Sequence, residues 1–140
     1  MAFAMFAAAT GVQFAVRRAD RRTILAAGAA ATTIAMVSLV AAVRTDSAGA
    51  LLAAAVLAGA GQGLGQFAGL SLLNGSVPGS RLAEANAAFN LGGYVPAGIL
   101  PVATGYLADA VGLTGGATVF AAVVGACAVG GGAFVLAQAE

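Results

Sequence analysis

The chain has 140 residues, of which 61% are apolar and only 8% charged, with a net charge of +1 and a mean hydropathy of +0.98. A soluble domain carries about 25% charged residues to keep its surface wet, so the missing solvated surface is expected to be lipid-facing surface. The few basic residues exclude a nucleic-acid-binding face, and no nucleic-acid partner is expected. The absence of His, with Cys127 as the single cysteine, leaves neither a disulfide framework nor a cysteine/histidine metal site. Cys127 itself lies in AAVVGACAVGGG and reads as a small packing residue.

The charges divide the chain into apolar runs at 1–16, 23–43, 47–80, 85–108 and 110–139. A helix needs about 20 apolar residues to cross about 30 Å of hydrocarbon. The first run is too short: sixteen residues at about 1.5 Å each reach only about 24 Å. Its basic residues (Arg17, Arg18, Arg21 and Arg22) follow the apolar stretch, whereas a secretory signal carries its charge before it. It reads as the second half of a helix, with Met1 internal to a longer gene. The alternative is a short or tilted first helix in a complete small protein.

The second run predicts a span at 23–43. The third loses NGSVPGS at 74–80 to a loop and predicts a span at 48–73. The fourth predicts one at 85–108, and the fifth, after a turn in VGLTGG, one at 115–137. The expected fold is therefore all-α: one membrane domain over 1–140, a polytopic bundle of four full spans and a partial N-terminal helix. If the basic loop at 17–22 is cytoplasmic, the inner face holds Arg17, Arg18, Arg21, Arg22 and Arg81, and the outer face Arg44 alone. That asymmetry satisfies the positive-inside rule.

Polar residues inside the spans mark where chemistry would lie. In GAGQGLGQFAG, Gly61, Gly65 and Gly69 recur every four residues and line one face, allowing a neighbouring helix to approach closely. Gln62 and Gln66, also four apart, share an adjacent face. Two amides facing lipid without partners would be costly, so they should face protein or a water-filled cavity. Interhelical hydrogen bonding and solute contact both fit. A phosphate-binding glycine loop would need a preceding strand and a lysine. A proton-carrying rotor hairpin would need a carboxylate at mid-membrane, and Glu84 and Asp109 lie at helix ends.

In the fourth run Asn86, Asn90, Gly93, Ala97, Pro101 and Thr104 fall on one face, with Tyr94 at its edge. Such a stripe suits a cavity wall or a helix interface. Pro96 and Pro101 each remove a backbone donor and should kink the helix. The kink serves either packing or the opening and closing of a pathway.

The segment ANAAFNLGGYVPAGILPVATGYLADAVGLTGGATVF resembles the eleventh helix, its outer loop and the start of the twelfth helix in transporters of the major facilitator superfamily. The resemblance rests on Tyr94, Pro101, Gly105, Asp109 and Gly112. GVQFAVRRADRRTIL is similar to the basic cytoplasmic loop between helices eight and nine, with Arg18, Asp20, Arg21 and Arg22 as its charged positions. It departs from the family's loop pattern in two places. Gly11 lies far from Asp20, and no glycine separates Arg21 from Arg22.

The resemblance covers essentially the whole chain, as helices eight (partial) to twelve. It implies a helix ten (48–73) that lines a central cavity, with helices eight and eleven flanking it and nine and twelve outside. It also implies alternating-access transport of a small solute (a drug, sugar or metabolite), often proton-coupled, in a bacterial cytoplasmic membrane. The missing N-terminal helices of the parent would be its partners, and no cofactor is implied. The expected solute pathway is Gln62, Gln66, Asn86, Asn90 and Tyr94. A complete small membrane protein acting as an interaction or structural subunit is the alternative. Thr32, Thr33 and Ser38 can bond their own helix backbone. An enzyme is not expected, because without His the hydroxyls of Ser71 and Ser76 have no evident activator.

Overall fold

A computed structural model describes residues 2–16 and 18–137. Arg17, a member of the expected basic loop, lies outside the described residues. The described chain forms five helices and one short 3-10 turn: α1 (Ala2–Ala15), α2 (Arg21–Thr45), α3 (Ala48–Ser76), α4 (Leu82–Val111) and α5 (Leu113–Ala137), with the 3-10 turn at Gly79–Arg81. No strand occurs among the described residues. The helices α2 to α5 are each long and apolar enough to cross a membrane, and α1 is shorter. The described chain is thus an all-helical bundle with four helices able to span a membrane, which points to a multi-pass membrane protein.

The packing is that of a membrane bundle. Among the described residues, six of the nine buried apolar side chains are alanines (Ala35, Ala42, Ala54, Ala68, Ala117 and Ala121), the others being Ile24, Met36 and Leu64. Large apolar side chains point outward instead: Phe3 is 86% exposed, and Phe134, Ile99 and Leu91 are also exposed. In water this arrangement would be costly. In lipid, association depends on close packing of small residues rather than on hiding large ones.

Local signals set the helix ends. Asp20 caps α2: its carboxylate accepts from the Thr23 backbone N–H at 3.1 Å and from the Thr23 hydroxyl. These bonds, the hydroxyl's first, hold the Asp20 carboxyl below its ordinary pKa. The α2 helix stops at Asp46, which adopts the left-handed conformation (φ 49°) and donates its N–H to the Ala42 carbonyl. The Ser47 side chain then caps α3 by accepting from Ala50 N–H at 3.3 Å.

Two expected loops are smaller than the sequence implies. Helix α3 continues through Asn74, Gly75 and Ser76 and breaks at Val77. Between α4 and α5 a single residue, Gly112 at φ 84°, makes the reversal, with its N–H bonded to the Ala108 carbonyl at 2.8 Å. A left-handed φ is open to glycine without penalty, so one residue does what VGLTGG was expected to do. A Cβ at Gly116 would lie 2.9 Å from that of Ala108, so the two helices leave the turn in close contact.

Helix α2, expected on the outside, is central instead, packed between α3 and α5, while α1 packs on the other flank of α3. Ile24, Leu64 and Ala68 form one small core with Val12 and Val16 around them; Ala35, Met36 and Ala121 form another. Helix α4 packs mainly on α5, touches α3 only lightly, and has no buried residue. Cys127 is exposed on α5 rather than packed: the interior of α5 is supplied by Gly116, Ala117 and Ala121, on its opposite stretch.

Arg21 and Arg22, expected in the basic loop, form the first turn of α2 and hold one end of the bundle together. The Arg22 guanidinium donates to the Leu136 carbonyl at 2.9 Å, in the last turn of α5. The Arg21 guanidinium lies over Gly75, where an added Cβ would come within 3.5 Å of it, in the last turn of α3. Cations at helix C-termini satisfy orphan carbonyls and oppose the helix dipole. Arg18, Arg21, Arg22 and the ends of α3 and α5 therefore share one face of the bundle. Arg81, at the start of α4, is paired with Glu84 at 3.1 Å, an exposed pair of small energetic weight.

Candidate functional site: a mid-bundle cleft

Helix α3 runs from Ala48 to Ser76, so Gln62 stands fourteen residues from each end. At about 1.5 Å per residue that is about 21 Å, the middle of a span. Beside it lies a cleft of about 1110 Å³. Helix α3 forms one wall with Gln62 and Gln66, α4 the facing wall with Asn90 and Tyr94, and Met36 of α2 and Phe120 of α5 the floor. Met5 contributes from α1.

The cleft gathers four of the five expected pathway residues: Gln62, Gln66, Asn90 and Tyr94. Asn86 does not line it. It sits one turn beyond the cleft, half-buried, and its backbone carbonyl accepts from the Asn90 side-chain amide at 3.0 Å. Of the expected α4 stripe, Asn90, Gly93, Ala97 and Pro101 line the cleft, while the Thr104 hydroxyl bonds the Leu100 carbonyl at 2.7 Å. Tyr94 is 71% exposed.

The polar groups divide into satisfied and free. The Thr32 and Thr33 hydroxyls bond the carbonyls of Gly28 and Ala29 one turn back, as Ser71 and Ser76 bond Phe67 and Leu72. Gln62 and Gln66 make no hydrogen bond to any other described residue, and both side chains are exposed into the cleft. No interhelical bond uses these amides. Pro96 and Pro101 lack the N–H that would bond the carbonyls of Gly92 and Ala97, and both of those residues line the cleft.

The glycines of α3 position this wall. A Cβ at Gly61 would collide with the Thr32 hydroxyl and lie 3.1 Å from the Gly28 carbonyl, so α2 meets α3 backbone to backbone there. Gly69 makes room for the Phe89 ring of α4, 2.8 Å from its would-be Cβ. Gly65 differs: its own Cβ position is open space, so it is not needed for that approach. A second register, missed from sequence, is formed by Gly59 and Gly63. Cβ atoms there would collide with the backbone carbonyls of Met5 and Ala9, so α1 lies against α3 along this line. Its four-residue spacing was visible in LAGAGQGLG, interleaved with the first. Sequence reasoning also missed the apolar floor, since Met36 and Phe120 carry no signal apart from any other apolar residue.

No group of acidic, cysteine or histidine residues able to hold a metal occurs among the described residues. Comparison with known families, with curated proteins and with solved structures found no match to this chain.

Proposed function

We propose that this chain is the C-terminal part of a secondary transporter of the major facilitator type, moving a small solute across a bacterial cytoplasmic membrane by alternating access. The observation that carries the reading is the mid-span cleft, where two unpartnered amides face a large cavity. Amides kept at such depth need protein, water or a solute as partner, and no described residue serves them. On this reading α3 is the cavity-lining helix, α4 its flank, and the arginine-rich end of the bundle is cytoplasmic. The described residues place no carboxylate in the cleft, so a proton-coupling group would come from the parent's other helices. The unburied length of α4 favours a second reading, a small subunit that docks on a partner.

The test is solute uptake or efflux by the full-length parent, normalised to folded protein in the membrane, for Gln66→Leu and Asn90→Leu. Intramembrane hydrogen bonds average only about 0.6 kcal/mol, so both variants should fold while transport changes. Normal transport at normal abundance in both would overturn the assignment of the cleft. Loss of abundance alone would favour a packing role.

A further inference from the structure

The charged residues of the described chain stand at helix ends and in loops; none lines the cleft. Asp20, Arg44, Asp46, Arg81, Glu84 and Asp109 all fall outside it. An ion entering about 21 Å from either helix end would shed hydration with no counter-charge on this chain's walls of the cleft to replace it, the most costly transfer a protein interior imposes. An uncharged molecule meets no such cost.

The lining is suited to an apolar body. Met5 and Met36 offer flexible, polarisable thioethers that adapt to irregular shapes. Phe89, Tyr94 and Phe120 offer ring faces. The volume of about 1110 Å³ is at the upper end for sites of drug-sized ligands, about 300–1,000 Å³, and far beyond what an ion or a water needs. Against this apolar background Gln62 and Gln66 present two carboxamides one turn apart, each with donors and an acceptor unused.

From these features we infer that the cleft binds an uncharged molecule with a largely apolar body and at least one hydrogen-bonding group. The inference rests on the transport reading above and narrows its solute class. It sets aside sugars, which need many polar partners, and ionic metabolites, which need a counter-charge.

The experiment uses the full-length parent in lipid nanodiscs, with Cys127→Ala and every other native cysteine replaced as background. Single cysteines are placed at Gln62→Cys, at Asn90→Cys across the cleft, and at Ser47→Cys as an end-of-helix reference. Labelling rates are measured for three thiosulfonates: neutral methyl methanethiosulfonate, a trimethylammonium-ethyl analogue and a sulfonatoethyl analogue. Relative to Ser47→Cys, the neutral reagent should react at least about tenfold faster than either charged one at both cleft positions. Neutral N-phenyl-1-naphthylamine should slow labelling at both. If all three reagents react at equal relative rates, or a charged one leads, the solute class is wrong while the water-reached route stands. If none reacts at either position, the cleft is closed by protein or lipid and the transport reading falls with it. If naphthylamine slows an outward-facing Val129→Cys equally, it is dissolving in lipid and the cleft has no site for it. Should Gln62→Cys fail to insert, Asn90→Cys decides.

Discussion

Replacing Gly63 by Ala adds one methyl group where α1 and α3 touch through their backbones. The new Cβ would collide with the Ala9 carbonyl oxygen and lie 2.8 Å from both the carbonyl carbon and the Cα of Ala9. Carbon atoms rest at about 3.5–4.0 Å, so α1 must retreat by about 1 Å. The obstructing atoms are backbone, and no rotamer change can relieve them. Overpacking of this kind costs about 1–3 kcal/mol, and the better helix propensity of Ala returns about 0.5–1 kcal/mol. At the middle of both ranges the net expectation is a loss of about 1 kcal/mol. Gly65→Ala is the matched control, two residues away with nothing within 4 Å of its Cβ; it should be neutral or slightly stabilising. Gly59→Ala should act as Gly63→Ala does, and the double variant should fall short of the sum, because one retreat of α1 serves both. Stability is read from unfolding in mixed detergent–dodecyl sulfate micelles, and the position of the damage from faster hydrogen exchange in α1. If Gly63→Ala were as stable as the unaltered chain, or Gly65→Ala equally destabilised, the close approach of α1 would be refuted.

Single cysteines at Ser47 and Ser76, in a chain lacking Cys127, should label differently with a membrane-impermeant thiol reagent: Ser47→Cys in intact cells, Ser76→Cys only after permeabilisation. The reverse pattern would invert the orientation. Because its bonds to Thr23 hold the Asp20 carboxyl below its ordinary pKa, the cap's contribution is fully present above that ordinary value and is lost as pH falls through the folded value. Asp20→Ala should therefore lower the thermal midpoint at neutral pH, and the gap from the unaltered chain should narrow as pH falls below the ordinary carboxylate value. A gap independent of pH would show that the carboxylate charge is not what caps α2.

The helices were legible because charge is so scarce here: Arg22, Arg44, Arg81 and Asp109 each stand close to a helix end. The turns were less so. Asn74 and Gly75 are poor helix formers by propensity, yet they continue α3 beneath the Arg21 guanidinium. That support comes from another helix and has no local signature. Which face of each span meets protein was the least legible. In lipid both faces are apolar, so periodicity loses its contrast. The glycines carried part of this information, but Gly59 and Gly63 share their stretch with Gly61 and Gly65, and spacing alone does not say which register touches a neighbour. The amides were legible as candidates. That Gln62 and Gln66 lack partners while Asn90 is engaged with Asn86 depends on the space between α3 and α4, which no local pattern encodes.

Helix α4 behaves as a beam supported near its ends. Toward its start Phe89 rests on Gly69, and at its finish Ala108 rests on Gly116. Between these supports residues 90–99 are all exposed, and Pro96 falls at mid-length with Pro101 a little beyond. A beam is most compliant where its internal ties are cut, and here two backbone ties are missing near the centre. Thirty residues make a rod about 45 Å long. Its supports at Phe89 and Ala108 are nineteen residues apart, about 28 Å, so a 20° change of kink midway between them would displace the centre by about 2.5 Å with the supports unmoved. The Gln62 wall, clamped through Gly61 on one side and Gly59 and Gly63 on another, has no comparable freedom. The width of the cleft would therefore follow any flexure of α4 against the clamped α3.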